Sequence, residues 1–134
     1  MNDLTIEEII AMNYALIKRY SPLEMIGVRE LGALEMVVAQ PKQAVFEEEL
    51  YPNVYDKAYV LYTKLIKNHC FHNGNKRTAA LALLVFLKRN LILLEVTNAD
   101  IEDMTVGIAM DEYSKKEIVS WIQKNSKSLN TKND

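Results

Sequence analysis

From Arg77 to Asn90 the chain reads RTAALALLVFLKRN, a helical pattern that is apolar on most of its sides, with Leu81, Leu84, Val85, Phe86 and Leu87. A surface helix needs only one apolar stripe, so a helix of this kind has to be enclosed. The run is far shorter than the roughly 20 residues that cross a bilayer, which makes the enclosing medium protein. Its neighbours must therefore be amphipathic helices arranged around it. A chain of 134 residues is long enough for one such core and too short for a second catalytic domain.

The rest of the sequence supplies those neighbours. Thr5 and Glu8 in TIEE match a capping box, and Ile6, Ile9, Ile10, Asn13, Leu16, Ile17 and Tyr20 follow it with helical spacing. Pro22 ends that helix by disfavouring helical geometry at Ser21. A second helix is predicted from about Val28 to Ala39, with Val28, Leu31, Leu34, Val37 and Val38 inward and Pro41 as its stop. QAVFEEELYP, residues 43–52, reads as a loop or small hairpin. Val54, Ala58, Leu61, Tyr62, Leu65 and Ile66 mark a third helix over 53–68. Asn98 and Ser114, the latter with Glu117, are candidate N-caps for helices over 99–110 and 115–125. The sum is an all-α domain of about six helices, and the polar tail KSLNTKND, residues 127–134, is expected to fray.

Charge is unevenly spread. The net charge of −2 argues against nucleic-acid binding as a global property, yet Lys57 to Leu94 holds no acidic residue and carries +7. A local positive field of that kind suits an anionic ligand. The single Cys70 excludes an internal disulfide, and the first twenty residues lack the basic head, apolar run and cleavage site of a secretory signal. A cytoplasmic location, away from membranes, is the expectation.

Inside the acid-free span lies NHCFHNGNKRTAA, residues 68–80. Gly74 lets the backbone approach a ligand closely, and Asn75 to Thr78 begin a helix whose unpaired N–H groups suit a phosphate. Lys76 and Arg77 add cationic donors, and His69 has the unperturbed pKa of a general base near neutrality. Taken singly, each has a plainer reading as a turn residue or a solvated charge. Their joint spacing favours transfer from a phosphate-bearing donor to a hydroxyl. A zinc site from His69, Cys70 and His72 lacks a second cluster to complete four-coordination, and the glycine pattern of a P-loop is absent.

The residues HCFHNGNKR resemble the signature of the Fic/Doc (Fido) superfamily, H-x-F-x-[DE]-[GA]-N-[GK]-R, and are most similar to its Doc (death-on-curing toxin) branch. TIEEIIAMNYALIKRY, GVRELGALEMVVAQP and EEELYPNVYDKAYVLYTKLIKNH look like that branch as well. The resemblance implies a single Fido domain over residues 1–126, an all-α bundle of about six helices with a small β-hairpin flap at QPKQAVFEEELYP. It implies His69 as the base, Phe71 as the ring anchoring the loop, and Gly74, Asn75 and Arg77 as the anion hole. Lys76 stands where AMP-transferring members have glycine, and Ala80 where they usually have a second arginine. Both implications favour a kinase that moves a terminal phosphate from ATP or another nucleoside triphosphate onto elongation factor Tu. Transfer of a whole AMP group is the alternative.

One position departs from the pattern. Asn73 occupies the place of the acid that binds Mg²⁺, and a neutral amide gives up a full charge at a site that relies on carboxylates. A binding protein without turnover is therefore a third reading. The inhibitory string [ST]-x-x-x-E-[GN] of many Fic enzymes is missing, so control by a separate Phd-like antitoxin is implied.

Overall fold

The computed structural model describes residues 1–129 and contains six α-helices and two small antiparallel sheets. Helix α1 (Ile6–Tyr20) opens on the Thr5/Glu8 capping box, and buries Ile9, Asn13 and Ile17 on one stripe. Helix α2 (Leu31–Ala39) runs into a 3₁₀ turn at Gln40–Lys42. Strands β1 (Ala44–Val45) and β2 (Glu48–Glu49) form the flap hairpin. Phe46 and Glu47 at its tip both take positive φ, 51° and 68°, as a two-residue hairpin turn requires. Helix α3 (Val54–Lys67) starts at Asn53, whose side chain accepts from the Asp56 N–H. Then come α4 (Asn75–Arg89), β3 (Ile92–Leu94), α5 (Asn98–Ala109), α6 (Lys115–Lys124) and β4 (Ser126–Ser128).

Helix α4 is the central element, packed against α1, α3, α5 and β3. Its fully buried side is built from Thr78, Ala79, Ala82, Leu83, Phe86 and Leu87, while Leu81, Leu84 and Val85 are only half-buried. Small side chains in its first turns let the neighbouring helices come close; Phe86 and Leu87 then fill the wider end of the core. Among the described residues, no helix is long and apolar enough to cross a membrane.

Four details differ from the sequence reading. Helix α2 begins at Leu31 rather than Val28, because Val28 bridges to Phe71 and the Arg29 and Glu30 N–H groups both go to the Cys70 carbonyl. Leu31 and Tyr20 are exposed instead of inward. The N-cap of α5 is Thr97, one residue before Asn98, and it accepts from the Asp100 N–H. Residues Lys127 and Ser128 of the expected tail belong to β4, which pairs with β3 through Ile92 and Ser128, Leu93 and Lys127, and Leu94 and Ser126. Backbone N–H groups need partners, and Leu129 N–H to Leu91 O (2.8 Å) extends the pairing. Residues 130–134 lie outside the described residues.

The flap is tied to the core from below. Lys57, only 2% exposed, donates from Nζ to the Pro41 carbonyl at 2.8 Å and to Glu49 Oε1 at 3.0 Å. One ammonium thus holds the chain entering the hairpin and the strand leaving it.

Candidate active site

Helix α3 stops at Lys67, and the next residues turn sharply. His69 takes φ 48°, a conformation that L residues with a side chain adopt at a cost of about 1–2 kcal/mol. It is exposed and makes no hydrogen bond among the described residues. Cys70 then drops into the core, where burial pushes its thiol pKa up and its carbonyl accepts from Arg29 N (2.7 Å) and Glu30 N (3.1 Å). Phe71 follows it inward, 1% exposed. Asn75 staples the turn: its Oδ1 accepts from Phe71 N at 3.0 Å and its Nδ2 donates to Phe71 O at 2.9 Å. His72 N–H closes the strand-like segment onto Gly27 O at 3.1 Å.

Helix α1 clamps the other end of the loop. Buried Asn13 donates from Nδ2 to Asn73 O at 2.8 Å and to Thr78 Oγ1 at 3.1 Å. Gly74, at φ 75°, sits directly over this clamp. A Cβ there would lie 2.9 Å from Ile17 Cδ1 and 3.2 Å from Asn13 Nδ2, so backbone conformation and space both require glycine. Helices α1, α3, α5 and α6 each have a side chain that caps their first N–H groups. Helices α2 and α4 have none and no acid in their first turns, and of these two only α4 starts with a lysine and an arginine. The N–H groups of Asn75, Lys76 and Arg77 therefore face outward without an intrahelical partner, at the positive end of the helix dipole.

Lys76 and Arg77 flank those amides, both exposed. The Arg77 guanidinium stacks 4.8 Å above the Tyr20 ring and makes a long contact to Ser21 Oγ at 3.5 Å. Beside them opens a cleft of about 500 Å³ with an apolar floor that includes Leu16, Leu81, Leu84 and Ile101. Ala80 lines it too, with no second arginine at that position.

The structure thus brings Gly74, Asn75, Lys76 and Arg77 to one helix start, and sets His69 and Asn73 in the loop leading to it. It adds a restriction on Asn75, whose side-chain amide is spent on Phe71, so that only its backbone N–H is available to a ligand. Asn73 donates from Nδ2 to Met25 O at 3.1 Å, which leaves a single neutral amide oxygen to face a cation. Among the described residues no three of His, Cys, Asp and Glu come together as a metal cluster. This donor set does not fit a magnesium ion anchored by the protein. Sequence reasoning missed the roles of Asn13, Tyr20 and Ser21. The signal for Asn13 was present: an amide on an otherwise apolar helix stripe is a buried polar group in need of partners.

The comparisons agree with this geometry. The model of the Fic/DOC family matches residues 3–87. Toxin Doc of Mycolicibacterium smegmatis is 42% identical over 67 residues, covering 50% of this chain and 52% of that protein, so this match spans about half its length. Protein kinase doc of Escherichia phage P1 is 28% identical over 124 residues, 92% of this chain and 95% of its own. With the signature loop, the uncapped helix start and a family match over more than half its length, the chain belongs to the Fic/DOC family, within its Doc branch.

Proposed function

We propose that this protein is a Doc-type toxin that transfers the terminal phosphate of a nucleoside triphosphate, ATP in the first instance, to a hydroxyl on elongation factor Tu, and so arrests translation. The observation that carries the reading is the uncapped start of α4, where, alone among the helices of the described residues, free N–H groups are joined to a lysine and an arginine. That combination suits phosphoryl oxygens. The names of the two relatives, a toxin and a protein kinase, support the same reading.

In this mechanism His69 accepts the proton of the acceptor hydroxyl, and the oxygen attacks the terminal phosphorus. The bond to the bridging oxygen breaks, and the nucleoside diphosphate leaves with the electron pair. Charge on the transferring group is met by the N–H groups of Asn75, Lys76 and Arg77 and by the two cationic side chains. No step needs a cation held by the protein. The cleft beside Arg77, lined by apolar residues together with Lys76, Arg77 and Glu102, suits an amphipathic helix of a Phd-like antitoxin, which would cover the phosphate site when bound.

A second reading is favoured by Asn73 alone: a Fic-fold protein that binds nucleotide and antitoxin without turnover. The test is transfer from ATP labelled at the α or the γ phosphate to elongation factor Tu, with His69→Ala and Asn73→Asp alongside. Label from γ only, lost in His69→Ala, is the expected result. Label from α would replace phosphate transfer by AMP transfer. Transfer by Asn73→Asp but not by the natural chain would establish the binding reading.

A further inference from the structure

A second cavity, about 280 Å³, lies between α3, the base of the flap hairpin and the start of α6. Its wall carries Lys64, Lys67 and Lys115 together with Tyr51, Tyr59 and Tyr113, and no carboxylate. The floor is apolar, with Val60, Ile108 and Ile118. For a protein of net charge −2, three ammonium groups around one small hollow are a local concentration of positive charge.

The rings are held in place. Tyr113 packs on Gly107, where a Cβ would meet its Cε2 at 2.3 Å, so α5 acts as a flat seat for the ring. Gln40 donates to Tyr51 Oη at 3.3 Å. Lys115 Nζ stands 5.8 Å and 5.5 Å from the Tyr51 and Tyr59 centroids, which keeps the ammonium over the cavity. The cations remain open to a ligand. Lys64 has no ion pair among the described residues, and Lys67 pairs only with Asp111, both of them solvent-exposed. An exposed pair of this kind contributes little and exchanges readily for another carboxylate.

We propose that this cavity takes an aspartate or glutamate side chain of the acceptor protein, a few residues from the hydroxyl that receives the phosphate. The inference rests on the transfer reading for the identity of the partner, but the cavity's preference for a carboxylate does not. Lys67 precedes His69 by two residues in sequence and Tyr51 follows Glu49 of the hairpin by two, so the cavity sits at the end of α3 that leads into the loop carrying His69. An apolar floor below ammonium and phenol groups matches an acidic side chain, with its short aliphatic stem and charged end. A phosphate would be better served by arginine forks or free backbone amides. Here there is no arginine, and at the start of α6 the Ser114 and Glu117 N–H groups are already taken by their capping box.

The test is fluorescence anisotropy of fluorescein-labelled hexaglutamate and hexaglutamine with the full chain, without nucleotide. The expected result is saturable binding of hexaglutamate alone, weakened at least tenfold in the Lys64→Gln/Lys115→Gln double variant at unchanged thermal midpoint. Lys124→Gln, on the exposed last turn of α6, should bind as the natural chain does. Equal weakening by Lys124→Gln would reduce the effect to bulk charge, and loss in Lys76→Ala would move the peptide to the phosphate site; either overturns the proposal. So would displacement of the peptide by tripolyphosphate at lower concentration than by free glutamate peptide. Because the assay involves no turnover, failure of phosphate transfer leaves its outcome readable.

Discussion

Replacing Lys57 by methionine keeps the aliphatic stem that fills the space below the flap and removes only the ammonium. The Pro41 carbonyl, buried, then loses its donor, and an unsatisfied buried acceptor costs about 1–3 kcal/mol. Glu49 loses its partner too, but its side chain is 54% exposed and recovers water, so that half of the interaction contributes less than about 1 kcal/mol. The expected cost for Lys57→Met is about 1–3 kcal/mol, a fall in Tm of roughly 3–12 °C for a domain of this size. Glu49→Gln should cost less than about 1 kcal/mol. Thermal and urea unfolding followed by circular dichroism measure both. Hydrogen exchange localises the effect: in Lys57→Met the Leu50 N–H, bonded to Gln43 O at 3.0 Å across the hairpin base, should exchange faster, and the core amides of α3 should speed up only by the global loss of stability. If Glu49→Gln proves as damaging as Lys57→Met, the tether acts through the ion pair and the carbonyl argument is wrong.

Three further outcomes follow from the same kind of accounting. Gly74→Ala should destabilise by about 2 kcal/mol or more, from the left-handed φ together with the contact on Ile17, and should abolish nucleotide binding in calorimetry. Asn13→Ala removes two bonds at the buried end of the loop; a loss of about 2–3 kcal/mol and faster exchange at Thr78 N–H are expected, against little change at the exposed Tyr14→Ala. The pH dependence has a definite sign. The Arg89 guanidinium and the Thr5 N–H hold the Glu8 carboxyl down at about 2, against 4.5 in an unfolded chain, so its contribution is complete above 4.5 and fades as pH falls from there towards 2. With both side chains about one-third exposed, that contribution is about 1 kcal/mol after solvent screening, and Glu8→Gln should flatten the acid limb of the stability curve by that amount.

Elements written in local signals were legible in the sequence. The capping boxes at Thr5 and Ser114 begin helices where they stand, and the apolar run from Arg77 is the enclosed helix it has to be. Elements written in distant pairings were not. Nothing near Ile92 announces that Ser126–Ser128 will pair with it, because the polar residues of β4 carry no strand pattern and are recruited by the open edge of β3. The start of α2 moved for a related reason: Val28 to Glu30 have helical neighbours, but the Cys70 carbonyl claims the amides of Arg29 and Glu30. In the candidate site the chemistry-bearing residues are contiguous and so could be read directly. Their supports, Asn13, Tyr20, Ser21 and Met25, come from the first helix and the loop after it, and only the fold brings them near.

Asn13 and Asn73 are separated by 60 residues, and this has a consequence in time. At about 5–20 residues per second, the ribosome makes Asn13 some 3–12 seconds before the loop residue it must bond is made. Until α4 emerges and docks, Gly74 has no seat and the amides that would hold a phosphate are unfixed. Chains that end before α4 therefore lack the ordered helix start altogether. If the chain acts as the proposed toxin, a cell meets that activity only once the enclosing helices have closed, which leaves an interval during synthesis for an antitoxin to arrive.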